Sequence, residues 1–240
     1  IVTYHSNNVY NNVFTAASGT SSCIIYGYYN FGSPTVENIY NNNIYDLSVA
    51  GTNTGTSSLL NGMHTNTTST ATKTIYGNNI YNFSALSGNV NGIAQFLGTN
   101  VQIYKNNIYN LSNATTVTTA ATMCGITINS GIVYAYNNFI SDLRTPLSAS
   151  VDGIRGINIT STTSASTVGL YYNTIFLNAA STGANIRPTD IYHTYSATAT
   201  TAALDMRNNI IVNNSTPVGS GLIVAFRRSA ATSLLNYGSA

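Results

Sequence analysis

Six side chains in this sequence could do acid–base work: Glu37, Asp46, Asp142, Asp152, Asp190 and Asp205. Cleavage of a glycosidic bond needs two carboxyl groups about 5–9.5 Å apart. Asp46 and Asp142 fall at like places in repeats three apart, and three strand spacings put them roughly 14 Å from one another. That is too far for a catalytic pair. No cluster of carboxylates offers the oxygen cage that calcium takes. Two local charge groups remain. Asp142, Arg144, Asp152 and Arg155 flank one loop and are expected to tether it as exposed ion pairs. Arg187, Asp190, His193, Asp205 and Arg207 gather in the C-terminal third, where an enzyme's site would have to be sought. His5 and His64 stand apart, without metal-ligand spacing, and are expected on the surface. The sequence assigns no catalytic residue, cofactor or metal.

What would position any of these groups is a phrase that recurs along the chain. It is plainest as Ile103-Tyr-Lys-Asn-Asn-Ile-Tyr-Asn-Leu-Ser112, and returns at Ile75 to Ser84 and at Ile39 to Ser48. Weaker copies lie at Tyr4 to Phe14, Tyr134 to Leu143, Leu170 to Asn178 and Asp205 to Asn214. The first asparagine of the pair is present in every copy, as Asn7, Asn42, Asn78, Asn106, Asn137, Asn173 and Asn208, and subtraction gives separations of 35, 36, 28, 31, 36 and 35 residues. Periods of that length mark a solenoid. Apolar residues alternate over four to six positions, as in strands, and helix periodicity is nowhere visible. Each repeat has a first strand after a small residue, such as Gly92 to Phe96 or Gly125 to Ile128. A Thr/Ser-rich connection follows, then a second strand into the asparagines and a third strand out of them.

Counting from the first asparagine, position +2 is Val9, Ile44, Ile80, Ile108, Phe139, Ile175 and Ile210, apolar in every copy. Position −3 is Tyr4, Ile39, Ile75, Ile103, Tyr134 and Leu170, and fails only at Asp205. These columns are the expected core. The chain turns sharply between them, and Asn tolerates the left-handed conformation of a tight corner. Stacked one strand spacing apart, the amides can bond to one another as a ladder. The expected fold is all-β: one domain over 1–240, a parallel β-helix of about seven coils with three short strands each and the Asn ladder at one corner.

This coil, a Gly-Ile strand followed by Ile-x-x-Asn-Asn-x-Ile strands around an Asn corner, resembles the right-handed parallel β-helix superfamily, the pectate-lyase-like solenoids. The resemblance covers the whole chain and implies the right hand of the coil. It implies no single activity, because that superfamily includes lyases, hydrolases, adhesins, phage tailspikes and inert scaffolds. Its hydrolases resemble one another in paired Asp, a Gly-His-Gly-like and an Arg-x-Lys-like segment, and all three are missing here. Pro34, Pro146 and Pro217 fall in return loops, whereas Pro188 lands where the sixth coil's first strand belongs.

Position +3 carries Tyr10, Tyr45, Tyr81, Tyr109, Ile140, Phe176 and Ile211. Position −2 carries His5, Tyr40, Tyr76, Tyr104, Ala135, Tyr171 and Met206. Since strands alternate, both columns should point outward. Two aromatic stripes would then flank the Asn corner, either stacking on one another or offering a surface for self-association or for a polysaccharide.

Only 6% of residues are charged, so neutral amides and hydroxyls must keep the surface wet. Eight basic residues, with Arg227-Arg228 the one adjacent pair, are too few to draw a phosphate backbone, which argues against nucleic acid. No apolar run approaches the ~18 residues of a membrane span. Cys23 and Cys124 lie three coils apart, and a disulfide is not expected. Neither end has an obvious polar cap, which solenoids need for solubility. The sequence therefore points to a non-catalytic, extracellular structural solenoid, a segment of an adhesin or stalk or a subunit of a stacked filament. A carbohydrate-binding module using the tyrosine stripe is the alternative, and a polysaccharide lyase or hydrolase a further one.

Overall fold

The computed structural model describes residues 1–19, 22–53, 58–114, 123–150, 153–163, 165–194, 202–219 and 221–229. These form a parallel β-solenoid, and no helix occurs among them. One sheet stacks Val2–His5, Val36–Tyr40, Thr72–Tyr76, Asn100–Tyr104, Ile132–Tyr136, Thr167–Tyr171 and Ala203–Arg207. A second stacks Asn8–Tyr10, Asn43–Tyr45, Asn79–Ala85, Asn107–Asn113, Phe139–Ser141, Thr174–Leu177 and Ile210–Asn213, with short extensions beside it. The third stacks Ile24–Asn30, Leu59–Asn66, Asn89–Phe96, Met123–Ile128, Ile154–Ile159, Pro188–His193 and Val224–Arg228. Each sheet is seven strands deep, and the chain makes about six turns.

Identical residues face one another across the strands. Asn79 pairs with Asn107, Ile80 with Ile108 and Tyr81 with Tyr109. The interior is lined by three fully buried columns: Ile39, Ile75, Ile103, Ala135 and Leu170; Ile44, Ile80, Ile108, Ile140 and Ile175; Met63, Ile93, Ile126, Ile157 and Ile191. Each buried isoleucine contributes about 1.5–3 kcal/mol by leaving water. The third sheet makes room for them with glycine. A Cβ on Gly125 would stand 2.6 Å from the Gly156 carbonyl and 2.6 Å from Ile140 Cγ2, and Gly62, Gly92 and Gly156 are hemmed in alike.

The corner between the first two sheets is made by one left-handed residue per coil: Ser6, Asn41, Gly77, Lys105, Asn137, Tyr172 and Asn208, all with φ between 54° and 63°. The ladder asparagine is always the next residue. Two expected assignments are corrected here. In the fifth and seventh coils the ladder members are Asn138 and Asn209, and Asn137 and Asn208 are the left-handed corner residues before them. The columns shift accordingly. Phe139 and Ile210 are 40% and 60% exposed, and the inward residues are Ile140 and Ile211. At −3 the true members are Ala135, paired with Leu170, and Met206 in place of Asp205.

Pro188 causes no break. It opens the strand Pro188–His193 opposite Ile154, and the first residue of a strand is a place proline tolerates.

Candidate functional site

The Asn ladder is continuous from Asn7 through Asn42, Asn78, Asn106, Asn138 and Asn173 to Asn209. Asn106 is typical: its backbone N–H and Nδ2 both donate to Asn138 Oδ1 (3.1 and 3.0 Å). Nδ2 also donates to the Ile75 carbonyl (3.0 Å), while Oδ1 accepts from the backbone N–H and Nδ2 of Asn78 (3.1 and 2.9 Å). Every polar atom of a fully buried amide is thereby satisfied, which removes the cost of burying it. An outer ladder runs beside it, Asn107 Nδ2 donating to Asn79, Asn79 to Asn43 and Asn43 to Asn8, each at 2.9 Å.

The tyrosines use their faces on each other. Tyr10, Tyr45, Tyr81 and Tyr109 stack with centroids 5.0–5.1 Å apart and planes within 5°. His5, Tyr40, Tyr76 and Tyr104 stack likewise, and the register correction adds Tyr136 at 4.8 Å. Ser141 interrupts the other stripe before Phe176, which is partly exposed and pairs with Ser141 and Val212. Tyr171 lies over Gly169 toward Tyr134, and its hydroxyl donates to Asp205 (3.1 Å).

The two expected charge groups come apart. Asp142 and Arg144 form an exposed ion pair (3.2 Å), Asp152 lies outside the described residues, and Arg155 is buried on the third sheet, its guanidinium 3.4 Å above the Tyr192 ring. Asp205 pairs with Arg207 (2.7 Å) outside the first sheet, and the hydrogen bonds from Arg207 and Tyr171 hold its pKa below the usual range. Asp190 and His193 are buried instead. Asp190 stands in the glycine column, opposite Gly156. Burial pushes its pKa up to about 7, although the nearby Asn213 amide pulls the other way. That amide donates to the Pro188 carbonyl (3.2 Å), and neither Asp190 oxygen has a hydrogen-bond partner among the described residues. Burial, then the charge of Arg228, lowers the His193 pKa. No group of three His, Cys, Asp or Glu among the described residues could hold a metal ion. Cys23 and Cys124 are buried and not joined in a disulfide.

The outer face of the third sheet holds an arrangement that sequence reasoning missed. His64 is half-buried there rather than alone on the surface, stacked on Phe96 (4.9 Å) and beside Tyr26 and Tyr29. From it a row of side chains crosses the sheet: Asn61, Asn91, Thr127, Asn158 and Arg155, each bonded to the next. Small residues, Ala94 and Cys124, leave a groove of about 240 Å3 over this row. The only signal in the sequence was one polar residue next to each Gly-Ile pair, spread across coils of unequal length.

No family model, curated protein or solved structure matches the chain. No helix among the described residues is long and apolar enough to cross a membrane.

Proposed function

We propose that the chain is a non-catalytic, extracellular structural solenoid of the right-handed β-helix kind, part of an adhesin or stalk or a filament subunit, and that it works by coil stacking. The observation that carries this reading is where the side chains are spent. The asparagines and tyrosines that repeat along the axis bond to or stack on their own copies. Among the described residues the aliphatic side chains that are more than half exposed all lie in the first and last coils, while Leu86, Phe139 and Leu147 are open to a lesser degree between them. Ile1, Val13, Phe14 and Ile24 are exposed in the first described coil, and Ile210, Val212 and Leu222 in the last. The ladder also has a direction that suits head-to-tail growth. Asn7 offers its Oδ1 at one end, and Asn209 offers its backbone N–H at the other, neither with a partner for it among the described residues. A heterologous contact of this kind builds a filament when its rotation does not close a ring.

Electron microscopy of concentrated material tests this. Fibres with a subunit rise near seven strand spacings, about 34 Å, are expected; strictly monomeric particles at high concentration contradict it. The polysaccharide reading has less support, because the ring faces a sugar would cover already lie against neighbouring rings. Replacing Tyr81 and Tyr109 with Ala should leave any retention on a polysaccharide array unchanged, and loss of retention with the fold intact would restore that reading.

A further inference from the structure

The row of side chains on the outer face of the third sheet has a fixed polarity, set from one end. Arg155 can only donate, so Asn158 must turn its Oδ1 to it (2.8 Å). Asn158 Nδ2 then donates to Thr127 Oγ1 (3.5 Å), which donates in turn to Asn91 Oδ1 (2.8 Å). Asn91 Nδ2 donates to Asn61 Oδ1 (2.8 Å), leaving Asn61 Nδ2 to meet His64 Nδ1 (3.0 Å). His64 accepts there only as the neutral tautomer protonated on Nε2, and burial together with the charge of Lys73 lowers its pKa in keeping with that. Each bond polarises the next in the same sense.

The consequence lies in what remains unspent. All three asparagine carbonyl oxygens accept within the row, and the amides of Asn61 and Asn91 each keep one N–H that no described residue takes, whereas that of Asn158 also reaches the Cys124 thiol. These residues and His64 line the groove, and no carboxylate does. Arg155 sits at the end of the row, 9% exposed, its Nε without a hydrogen-bond partner among the described residues. A groove with donors to spare and no acid, beside a row that ends on a cation outside its lining, is complementary to an acceptor. We propose that it binds the oxyanion group of a small ligand, a carboxylate or a phosphate, on the free amide N–H groups of Asn61 and Asn91. This site does not depend on the stacking function.

Acetate and inorganic phosphate serve as the two probes, titrated into 15N-labelled protein while the asparagine side-chain amide resonances are followed. Saturable shifts at Asn61 and Asn91 are expected with at least one probe, and the stronger probe identifies a planar or a tetrahedral ligand. Shifts confined to exposed asparagines outside the groove, such as Asn82 and Asn107, or none at all, would overturn the site. Asn91→Asp replaces Nδ2, and with it both the free N–H and the bond to Asn61 Oδ1, by an acceptor of the same shape and should weaken binding by about tenfold or more. Ala94→Leu fills the groove without touching a hydrogen bond and should abolish binding; affinity unchanged in this folded variant sinks the proposal even if Asn91→Asp fails to fold.

Discussion

Gly156 and Asp190 stand opposite each other on adjacent strands of the third sheet, in a column where a side chain has almost no room. Asp190 nevertheless places a fully buried carboxyl there. Its pKa is raised from the ordinary 3.8 to about 7, so the folded chain holds this proton over a window where the unfolded chain has lost it. Stability from this group is therefore full below about pH 4 and falls as pH rises to about 7, by up to ~4 kcal/mol. His193, with its lowered pKa, acts in the opposite sense as pH falls.

Asp190→Asn should remove the loss on raising the pH and make the protein more stable than the parent at pH 8. Thermal melts of both proteins across that range check this. A parent whose melting temperature is flat from pH 4 to pH 8, or a variant that keeps the parent's slope, contradicts it.

Asn106→Ala takes away the acceptor of two buried N–H groups on Asn78 and the donor to the Ile75 carbonyl. A loss of about 3 kcal/mol or more is expected. Asn107→Ala, one residue on in the exposed outer ladder, should cost less than about 1 kcal/mol. Urea unfolding of the pair reads the difference, and equal losses would deny the inner ladder its role.

Gly125→Ala should destabilise by about 2–4 kcal/mol, because the new Cβ meets a backbone carbonyl that cannot yield as a side chain would. A variant as stable as the parent would show that the third sheet is spaced differently.

Much of this architecture was legible in the sequence, since equivalent residues recur at one place in each coil and the inward isoleucines are buried as expected. The one-residue slip at Asn137 and Asn208 has a simple cause. In most coils the corner residue is something else, Gly77 or Lys105 for example, so the first asparagine of the pair is the ladder member. The corner residue is itself asparagine in the second, fifth and seventh coils, since asparagine tolerates that conformation as well as it builds a ladder; in the second a third asparagine, Asn43, keeps the register, whereas the fifth and seventh have only two. Adjacent Phe139-Ile140 and Ile210-Ile211 then offer two apolar residues for one inward place, and alternation cannot choose between them. The groove on the third sheet was not legible, because contacts between Asn61, Asn91, Thr127 and Asn158 depend on strand register, which coils of unequal length conceal.

The same slip yields a pair of variants. Asn137→Gly should be close to neutral, since glycine adopts φ near 54° freely, whereas Asn138→Gly should cost about 3 kcal/mol or more through its broken ladder bonds. Chemical denaturation compares them, and the reverse order would restore Asn137 to the ladder.

The in-register stack is tested most directly by nuclear Overhauser contacts from the asparagine side-chain amides in the folded protein. The Nδ2 protons of Asn78 should contact Asn106, those of Asn106 should contact Asn138, and those of Asn138 should contact Asn173, in one unbroken series. A series that breaks at Asn106, or that passes through Asn137 instead of Asn138, would contradict it.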